Sequence, residues 1–416
     1  MTTLQFALFF LALLMIVGGL NVFVHRRLSS AFTLSQRSRA ILASVLAAGL
    51  VAMVGGRLFG AGASRVIGGV AAVAELGILV SAALLLLEAL VIAAARLVLR
   101  RRALATPTSV EPAQAATEGA KPLDASTTVS DRVVAAEGEA LSRRALLSRA
   151  SASAIVLVGG ASATYGGLFG RHDYALEEVP IRLERLPRAL DGFTIVQLSD
   201  LHLGAFVGDY EVARALELVR RARPQVIVLT GDLVDHDPAF ADDLGRLTRR
   251  LGELAPVLAV PGNHDHYAGV ARVLEAVRGG GGTVLDNRSA RIAEGQLLVA
   301  GVDDLWARRF RLGRGPDLDA ALAGLNDEAP RILLAHQPVF FEESSSRIDL
   351  QLSGHTHGGQ FNLGLRPADL VLPNGWVAGR YVRGAAQLYV NRGFGTAGPP
   401  ARLGAAPEVT RLVLTV

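Results

Sequence analysis

The sequence predicts an α/β domain in residues 174–416, preceded by transmembrane helices in residues 1–171. The first hundred residues are almost entirely Leu, Ala, Val, Gly and Phe, whereas residues 174–416 mix apolar runs with charges and turn residues. In that second part, short strand-like runs alternate with helical stretches, which is typical of α/β folds. Several runs end in Asp, Asn or His, and the carboxyl ends of strands are where such sheets bind ligands.

Three N-terminal segments are apolar and long enough to span a bilayer, which takes about 20 residues in a helix. They cover about residues 4–24, 40–60 and 76–98, within a membrane part of residues 1–102. The third lies in a longer apolar run that also contains Glu75 and Glu88, so we expect its helix to begin after Glu75. Buried helices of a soluble protein would need a very large core to hold so many apolar residues.

A fourth transmembrane or signal-like segment is predicted at residues 151–171, which are rich in Gly, Ser and Ala. Residues 103–150 predict a flexible cytoplasmic linker, because their Pro, Ala, Thr, Ser and Glu bury too little apolar surface to offset the entropy of ordering. The linker ends in Arg143-Arg144, which resembles a twin-arginine export signal, although such signals stand at the N-terminus. Two arginines that anchor a helix on the cytoplasmic side are the equal alternative.

Positive charge sets the expected orientation, because cytoplasmic loops of membrane proteins are enriched in Lys and Arg. The first connection and the segment after the third helix carry most of these charges. They are His25, Arg26, Arg27, Arg37 and Arg39, followed by Arg96, Arg100, Arg101 and Arg102. The first helix then runs from outside to inside, and a fourth crossing places residues 174–416 outside. We expect a multi-pass protein of the inner, or cytoplasmic, cell membrane with an extracytoplasmic domain.

Charge and cysteine content exclude several classes of protein. The formal net charge of +4 is small, and many arginines lie beside apolar segments. A dedicated nucleic-acid binder needs a clustered basic surface, so no specific nucleic-acid partner is expected. The chain has no cysteine, which excludes disulfides, thiol catalysis and thiolate metal sites.

Five short motifs with metal-capable side chains each follow a predicted strand. They are Asp200-Leu201-His202, Gly231-Asp232-Leu233-Val234-Asp235, Asn263-His264-Asp265, His336 and His355-Thr356-His357. Taken singly, each is more often an ordinary turn or a surface histidine. All five after strands in one domain predict that their side chains converge at one edge of a sheet. Oxygen and imidazole donors without thiolate suit divalent ions such as manganese, iron or zinc.

With these motifs the sequence resembles the calcineurin-like metallophosphoesterase superfamily, over about 240 residues from near Leu176 to the end. The resemblance implies a four-layer α/β/β/α sandwich and two divalent metal ions. It assigns one ion to Asp200, His202, Asp232 and His357, and the other to Asp232, Asn263, His336 and His355. Asp232 would bridge the pair, at the ~3.5–4 Å spacing of phosphate-hydrolysing metal pairs.

The implied activity is that of a metal-dependent phosphoric ester hydrolase. A hydroxide that bridges the ions would attack phosphorus in line with the leaving group. The resemblance implies that His264 contacts the phosphate or protonates the leaving group. Asp235 follows Asp232 closely, and we expect its carboxylate to accept from the other ring nitrogen of His264 and orient it.

Several stretches look like the membrane-associated YaeI-type phosphodiesterases. These are Gln197–Gly204, Gly354–Gln360 and Arg392–Thr396. Some relatives of that branch cleave the pyrophosphate of UDP-diacylglucosamine, so a lipid-linked phosphoester is one expected substrate. A phosphatase or a nucleotide or nucleic-acid phosphodiesterase on soluble substrates is an alternative, as is a membrane sensor that binds metal without turnover. Arg392 is a candidate for substrate contact, and residues 363–377 are a candidate lip over the site.

Overall fold

The structure is a computed structural model that describes residues 3–58, 63–105, 142–324 and 329–416. Most of the predicted linker lies outside these residues. The helices are α1 (Thr3–Ala31), α2 (Gln36–Leu58), α3 (Ala63–Ala105), α4 (Arg143–Leu168), α5 (Asp209–Ala222), α6 (Ala241–Gly252), α7 (Asn263–Tyr267), α8 (Val270–Gly279), α9 (Leu305–Phe310), α10 (Leu318–Ala321), α11 (Phe341–Ser344) and α12 (Ala368–Val371). The strands are β1 (Ala175–Arg182), β2 (Thr194–Leu198), β3 (Val226–Thr230), β4 (Val257–Val260), β5 (Thr283–Val284), β6 (Arg288–Ile292), β7 (Leu297–Gly301), β8 (Arg331–Leu334), β9 (Leu350–Ser353), β10 (Gly379–Arg383), β11 (Ala386–Val390) and β12 (Glu408–Thr415).

The helices α1 to α4 pack as a bundle, and α3 is longer than the expected segment 76–98 because it already begins at Ala63. Glu75 therefore lies inside a helix rather than before one. Its side chain is buried and accepts a hydrogen bond from Asn21 of α1 at 2.9 Å. A buried polar group is tolerated when it has such a partner.

Glycines let α3 approach its neighbours closely. A methyl group on Gly56 of α2 would lie 2.5 Å from the Cα of Gly68 on α3, and one on Gly159 of α4 would lie 2.5 Å from the carbonyl oxygen of Gly77. Small residues at such crossings are typical of helices packed within membranes. Among the described residues, Gln36–Gly56, Ala63–Leu99 and Ala145–His172 are long and apolar enough to cross a bilayer.

The described part of residues 174–416 forms two six-stranded sheets. The strand orders are β1-β12-β2-β3-β4-β5 and β10-β11-β9-β8-β7-β6. Within the first sheet β2, β3 and β4 are parallel neighbours, and within the second β7, β8 and β9 are parallel neighbours. Parallel neighbours direct their carboxyl ends to one edge, where the predicted site motifs begin.

Alternate residues along β3 show the layering. Val226 and Val228 pack into the core between the two sheets, whereas Ile227 and Leu229 pack against α5, α6 and α8. On the far side of the second sheet, Leu333 packs against a cluster that contains Leu318 and Phe341 of α10 and α11. Successive side chains of a strand face opposite sides, so these clusters define helix, sheet, sheet and helix layers. The predicted four-layer α/β/β/α fold is confirmed.

The helix bundle contacts the sandwich close to the carboxyl edge of its sheets. Leu76 and Val80 of α3 form a buried cluster with Ala401 and Leu403. Arg65, near the start of α3, pairs with Asp237 at 3.1 Å. The two parts of the chain therefore share a packed interface.

Candidate metal centre

Asp200, His202 and His357 form the first group of predicted ligands. Asp200 and His202 follow β2, and His357 follows β9 on the other sheet. Oδ1 of Asp200 lies 3.3 Å from Nε2 of His357, which lies 3.1 Å from Nε2 of His202. All three side chains are buried, and their ligand atoms can meet at one ion.

Asp232, His336 and His355 form the second group. Nε2 of His336 lies 3.2 Å from Oδ2 of Asp232 and 3.2 Å from Nδ1 of His355. Asn263 begins α7, and its buried side-chain oxygen has no hydrogen-bond partner among the described residues. An unpaired buried oxygen costs free energy unless a ligand satisfies it, so Asn263 fits a place beside this group.

The carboxylate of Asp232 lies between the two groups. Its Oδ2 is 3.2 Å from Nε2 of His336 and 3.7 Å from Nε2 of His202. Within each group, imidazole nitrogens face each other at little more than 3 Å. Carboxylate oxygens, imidazole nitrogens and an amide oxygen aimed at common points are a donor set suited to divalent cations. The residues therefore fit the metals that the fold implies.

The backbone at the site is strained. Five of the seven predicted ligands have positive φ angles: Asp200 (51°), His202 (47°), Asp232 (52°), His355 (71°) and His357 (51°). This left-handed region is sterically unfavourable for residues with a Cβ atom. Hydrogen bonds hold the turns, such as the one from the amide of His202 to the carbonyl oxygen of Asp232 at 3.0 Å. Such strain clusters at functional sites.

Two glycines allow the close approach of these loops. A methyl group on Gly354 would lie 1.9 Å from Oγ of Ser199 and 2.2 Å from Oδ2 of Asp200. A methyl group on Gly262 would lie 2.3 Å from Oδ1 of Asp232. The glycines that precede the Asn263 and His355 motifs thus make room for the carboxylates of the other motifs.

At two of the predicted histidine ligands, burial favours the neutral form that metal binding needs. Burial lowers the pKa of His355 to about 3, with a further contribution from His336. Burial also lowers the pKa of His357 well below its usual range, assisted by His202 and Arg402. Both imidazoles are therefore neutral, as metal ligands must be.

His264 and Asp235 contact each other beside the ligands. Nδ1 of His264 lies 3.3 Å from Oδ1 of Asp235 and 3.1 Å from its backbone oxygen. The amide of His264 donates to Oδ1 of Asp232 at 2.7 Å. Asp235 also lies 2.7 Å from Nδ1 of His236 and 3.5 Å from Nδ1 of His202. The roles expected of His264 and Asp235 stay predictions, with the expected contact in place.

Two buried residues support the site without having been singled out in the sequence. Arg402 is fully buried and donates to the carbonyl oxygens of Arg392 and Gly393 at 2.9 and 3.0 Å, and its Nη2 lies 3.2 Å from Nδ1 of His357. The carboxylate of Asp265 accepts from three backbone amides. They belong to Leu233, Val234 and Gly262, at 2.9, 3.0 and 2.8 Å. Asp265 belongs to the motif Asn263-His264-Asp265, whereas no local sequence pattern identifies Arg402.

The candidate role of Arg392 in substrate contact stays a prediction, and its guanidinium is held by two carboxylates. Its guanidinium pairs with Glu177 at 2.6 Å and with Glu408 at 2.9 Å, and so joins β1 to β12. The candidate lip at residues 363–377 contains α12, where Leu370 is 91% exposed and Val371 is 79% exposed. These side chains are apolar and lie on the surface rather than in the core.

Comparisons with known proteins agree with this geometry. Residues 193–359 match the family described as Calcineurin-like phosphoesterase. A "Transmembrane protein with metallophosphoesterase domain" of Danio rerio is 36% identical over 61% of this chain and 60% of its own length. The "Uncharacterized metallophosphoesterase YkuE" of Bacillus subtilis is 33% identical over 62% of this chain and 91% of its own. The "Phosphodiesterase YaeI" of Escherichia coli is 36% identical over 53% and 82%.

The relatives also bear on the membrane part. This chain spans 60% of the Danio rerio relative and 57% of a bovine relative of the same description, so each extends beyond the matched region. The descriptions of these two relatives as transmembrane proteins and the apolar helices of this chain indicate membrane association.

Proposed function

Because this chain belongs to the calcineurin-like phosphoesterase family and is thereby a metallophosphoesterase, we propose that it is a membrane-anchored phosphodiesterase or pyrophosphatase with two divalent ions. The position of Asp232 carries the proposal. Its Oδ2 lies 3.2 Å from His336 and 3.7 Å from His202, so one carboxylate serves both groups of ligands. A shared carboxylate is what a pair of closely spaced ions requires.

Seven side chains would hold the ions. Asp200, His202 and His357 serve one ion, Asn263, His336 and His355 serve the other, and Asp232 serves both. When bound, such a pair lowers the pKa of a water molecule and neutralises charge on the phosphoryl oxygens. The contribution of the chain is to fix the ligand atoms of the imidazoles through the strained turns and to keep His355 and His357 neutral.

His264 would act on the substrate directly. Its Nδ1 faces Asp235, which fixes the proton on that nitrogen and the orientation of the ring. Nε2 is then the nitrogen that faces the phosphate or the leaving oxygen. A protein that only senses metal has no use for a histidine that is oriented beside the ligands in this way.

The proposed orientation places the catalytic domain outside the inner membrane. The sandwich contacts Arg65 at the start of α3 and Gly166 near the end of α4. His25, Arg37 and Arg39 lie near the α1–α2 connection, and the hydrogen bond from Arg149, near the start of α4, to the carbonyl oxygen of Ala31 places this connection at the other end of α4. Positive charge marks the cytoplasmic side, which supports a domain on the other side.

A lipid-linked phosphoester, of the kind that UDP-2,3-diacylglucosamine represents, is the proposed substrate class. A small cavity next to the metal centre is lined by His202 and Asp235 on one side and by Gly56, Gly68 and Ala72 of the helix bundle on the other. The reacting phosphate would then lie beside the membrane helices. A soluble phosphodiester has no need of that proximity.

Hydrolysis of bis(p-nitrophenyl) phosphate by the full-length protein, loaded with Mn²⁺ in detergent, tests the activity. Asp232→Asn should lower the rate by about a hundredfold or more, since even residues that only support metal ligands typically cost 10- to 100-fold. Asp242→Asn is the matched control, because that side chain is 76% exposed on the first turn of α6. Equal rates in wild type and Asp232→Asn would contradict the proposal, and metal binding without any turnover would favour the sensor.

A further inference from the structure

We propose that an apolar groove in the helix bundle holds the hydrocarbon chain of the substrate while its phosphate lies at the metal centre. The inference rests on the proposed function and adds the place where the lipid binds. The groove has a volume of about 840 Å³ and is lined mainly by Val, Leu, Ala and Gly side chains of α1 to α4. Among them are Leu42, Leu46, Val70, Val73, Val156 and Gly160.

The groove adjoins the metal site. Ala205 and Phe206, three and four residues after the predicted ligand His202, line the end of the groove. The same two residues line the small cavity that contains His202 and Asp235. The apolar groove and the metal centre therefore share one wall, formed by the loop that follows β2.

The ring of Phe206 stands between the two spaces. It rests on Gly69 of α3 so closely that a methyl group on Gly69 would lie 2.0 Å from its Cζ atom. The guanidinium of Arg171 lies 5.9 Å from the ring centroid on another side. A rotation of this single side chain would join the groove to the site, and glycine at position 69 leaves the space for the ring.

A hydrocarbon chain fits the shape and chemistry of the groove. Its walls are nearly all apolar, and a further apolar cavity of about 410 Å³ continues past Leu28, Leu42 and Val156. Leu42, which lines the groove, and Met53, which lines the small cavity beside the metal site, are separated along α2 by roughly 16 Å at 1.5 Å per residue. An apolar space of this kind gains free energy with each methylene group that leaves water to enter it.

Gly160→Phe blocks the groove with little risk to the fold. Gly160 lines the groove on α4, and nothing lies within 4 Å of where its Cβ would be. A phenyl ring there enters the space that the chain would occupy. Gly19→Phe is the matched control, because Gly19 is also exposed in a bundle helix with nothing within 4 Å but does not line the groove.

The full-length protein in lipid nanodiscs would be assayed with methyl p-nitrophenyl phosphate and with dodecyl p-nitrophenyl phosphate. The two esters undergo the same reaction and differ only in the hydrocarbon chain, so the comparison isolates the effect of chain binding. With concentrations referred to the free ester in water, we expect kcat/KM to be about tenfold or more higher for the dodecyl ester, because transfer of two methylene groups out of water is already worth that much. Gly160→Phe should remove this preference and leave the methyl ester unchanged, whereas Gly19→Phe should keep both rates. Equal rates for the two esters, or a preference that survives Gly160→Phe, would overturn the inference while leaving the activity intact.

Photolabelling decides the matter independently of turnover. A phospholipid with a diazirine on its acyl chain should label the peptide that contains Ala205 and Phe206 in wild type and Gly19→Phe. The label should fall severalfold in Gly160→Phe. Labelling confined to the outer faces of the helices, and equal in all three proteins, would overturn the groove. If neither ester were hydrolysed, the proposed function would fail, and this labelling pattern would still decide whether the groove binds a chain.

Discussion

The backbone amide of Arg402 donates to the carbonyl oxygen of Gly166, 3.0 Å away in the last turn of α4. The guanidinium of the same arginine lies 3.2 Å from Nδ1 of His357. A methyl group on Gly166 would lie 3.0 Å from the carbonyl oxygen of Arg402, so the contact needs a glycine in the helix. One residue thus links a bundle helix to a predicted metal ligand.

Replacement of Arg402 by Ala is expected to weaken metal binding by about 10- to 100-fold, the usual effect of removing a residue that orients a ligand. The variant also leaves buried carbonyl oxygens unsatisfied, at about 1–3 kcal/mol each. Titration with a competing chelator measures the affinity, and a thermal melt measures the stability. Arg366→Ala is the control, because Arg366 forms only a partly exposed pair with Asp369 and such pairs contribute little. Unchanged affinity in Arg402→Ala would show that His357 is held without it.

Gly354→Ala should displace the carboxylate of Asp200, since the added methyl group would lie 2.2 Å from Oδ2. We expect loss of one metal and a fall in turnover of about tenfold or more. Gly252→Ala is the matched substitution, at the end of α6 with nothing within 4 Å, and should stabilise the protein slightly, by about 0.5–1 kcal/mol or less. Full metal content and activity in Gly354→Ala would mean that the loop after β9 is looser than its contacts indicate.

His264→Ala should separate chemistry from metal binding. The ring lies beside the ligands and contacts Asp235, so its removal is expected to lower kcat by about a hundred- to ten-thousandfold with metal content unchanged. His236→Ala removes another ring that contacts the same carboxylate and should have a much smaller effect. If turnover persisted in His264→Ala at full metal content, the proposed role of this histidine would be wrong.

The fold and the family could be predicted from the sequence because the relevant signals are local. The strand-ending motifs around Asp200, Asp232 and His355 identified the calcineurin-like metallophosphoesterase family, and that family and its four-layer fold are confirmed. The assignment of individual ligands stays a prediction, although the structure brings the predicted Asp and His ligands into two groups and leaves the buried oxygen of Asn263 without a hydrogen-bond partner among the described residues.

The parts that sequence reasoning did not reach depend on contacts between distant segments. Arg402 belongs to no motif, and its importance comes from carbonyl groups that fold around it. The pairing of Glu75 with Asn21 lets α3 begin before residue 76, which local hydropathy does not indicate. Arg392 follows a strand, as the predicted ligands do, but its guanidinium forms ion pairs with Glu177 and Glu408. The groove that ends at Phe206 arises only when helices and sandwich pack together.

The count of metal ions per chain tests the central claim most directly. The full-length protein would be loaded with Mn²⁺, freed of excess metal and measured by mass spectrometry beside Asp232→Asn and Asp242→Asn. Since Asp232 lies between both groups of ligands, we expect about two ions per chain in wild type and in Asp242→Asn, and fewer than one in Asp232→Asn. No bound metal in wild type, or equal metal in Asp232→Asn, would contradict it.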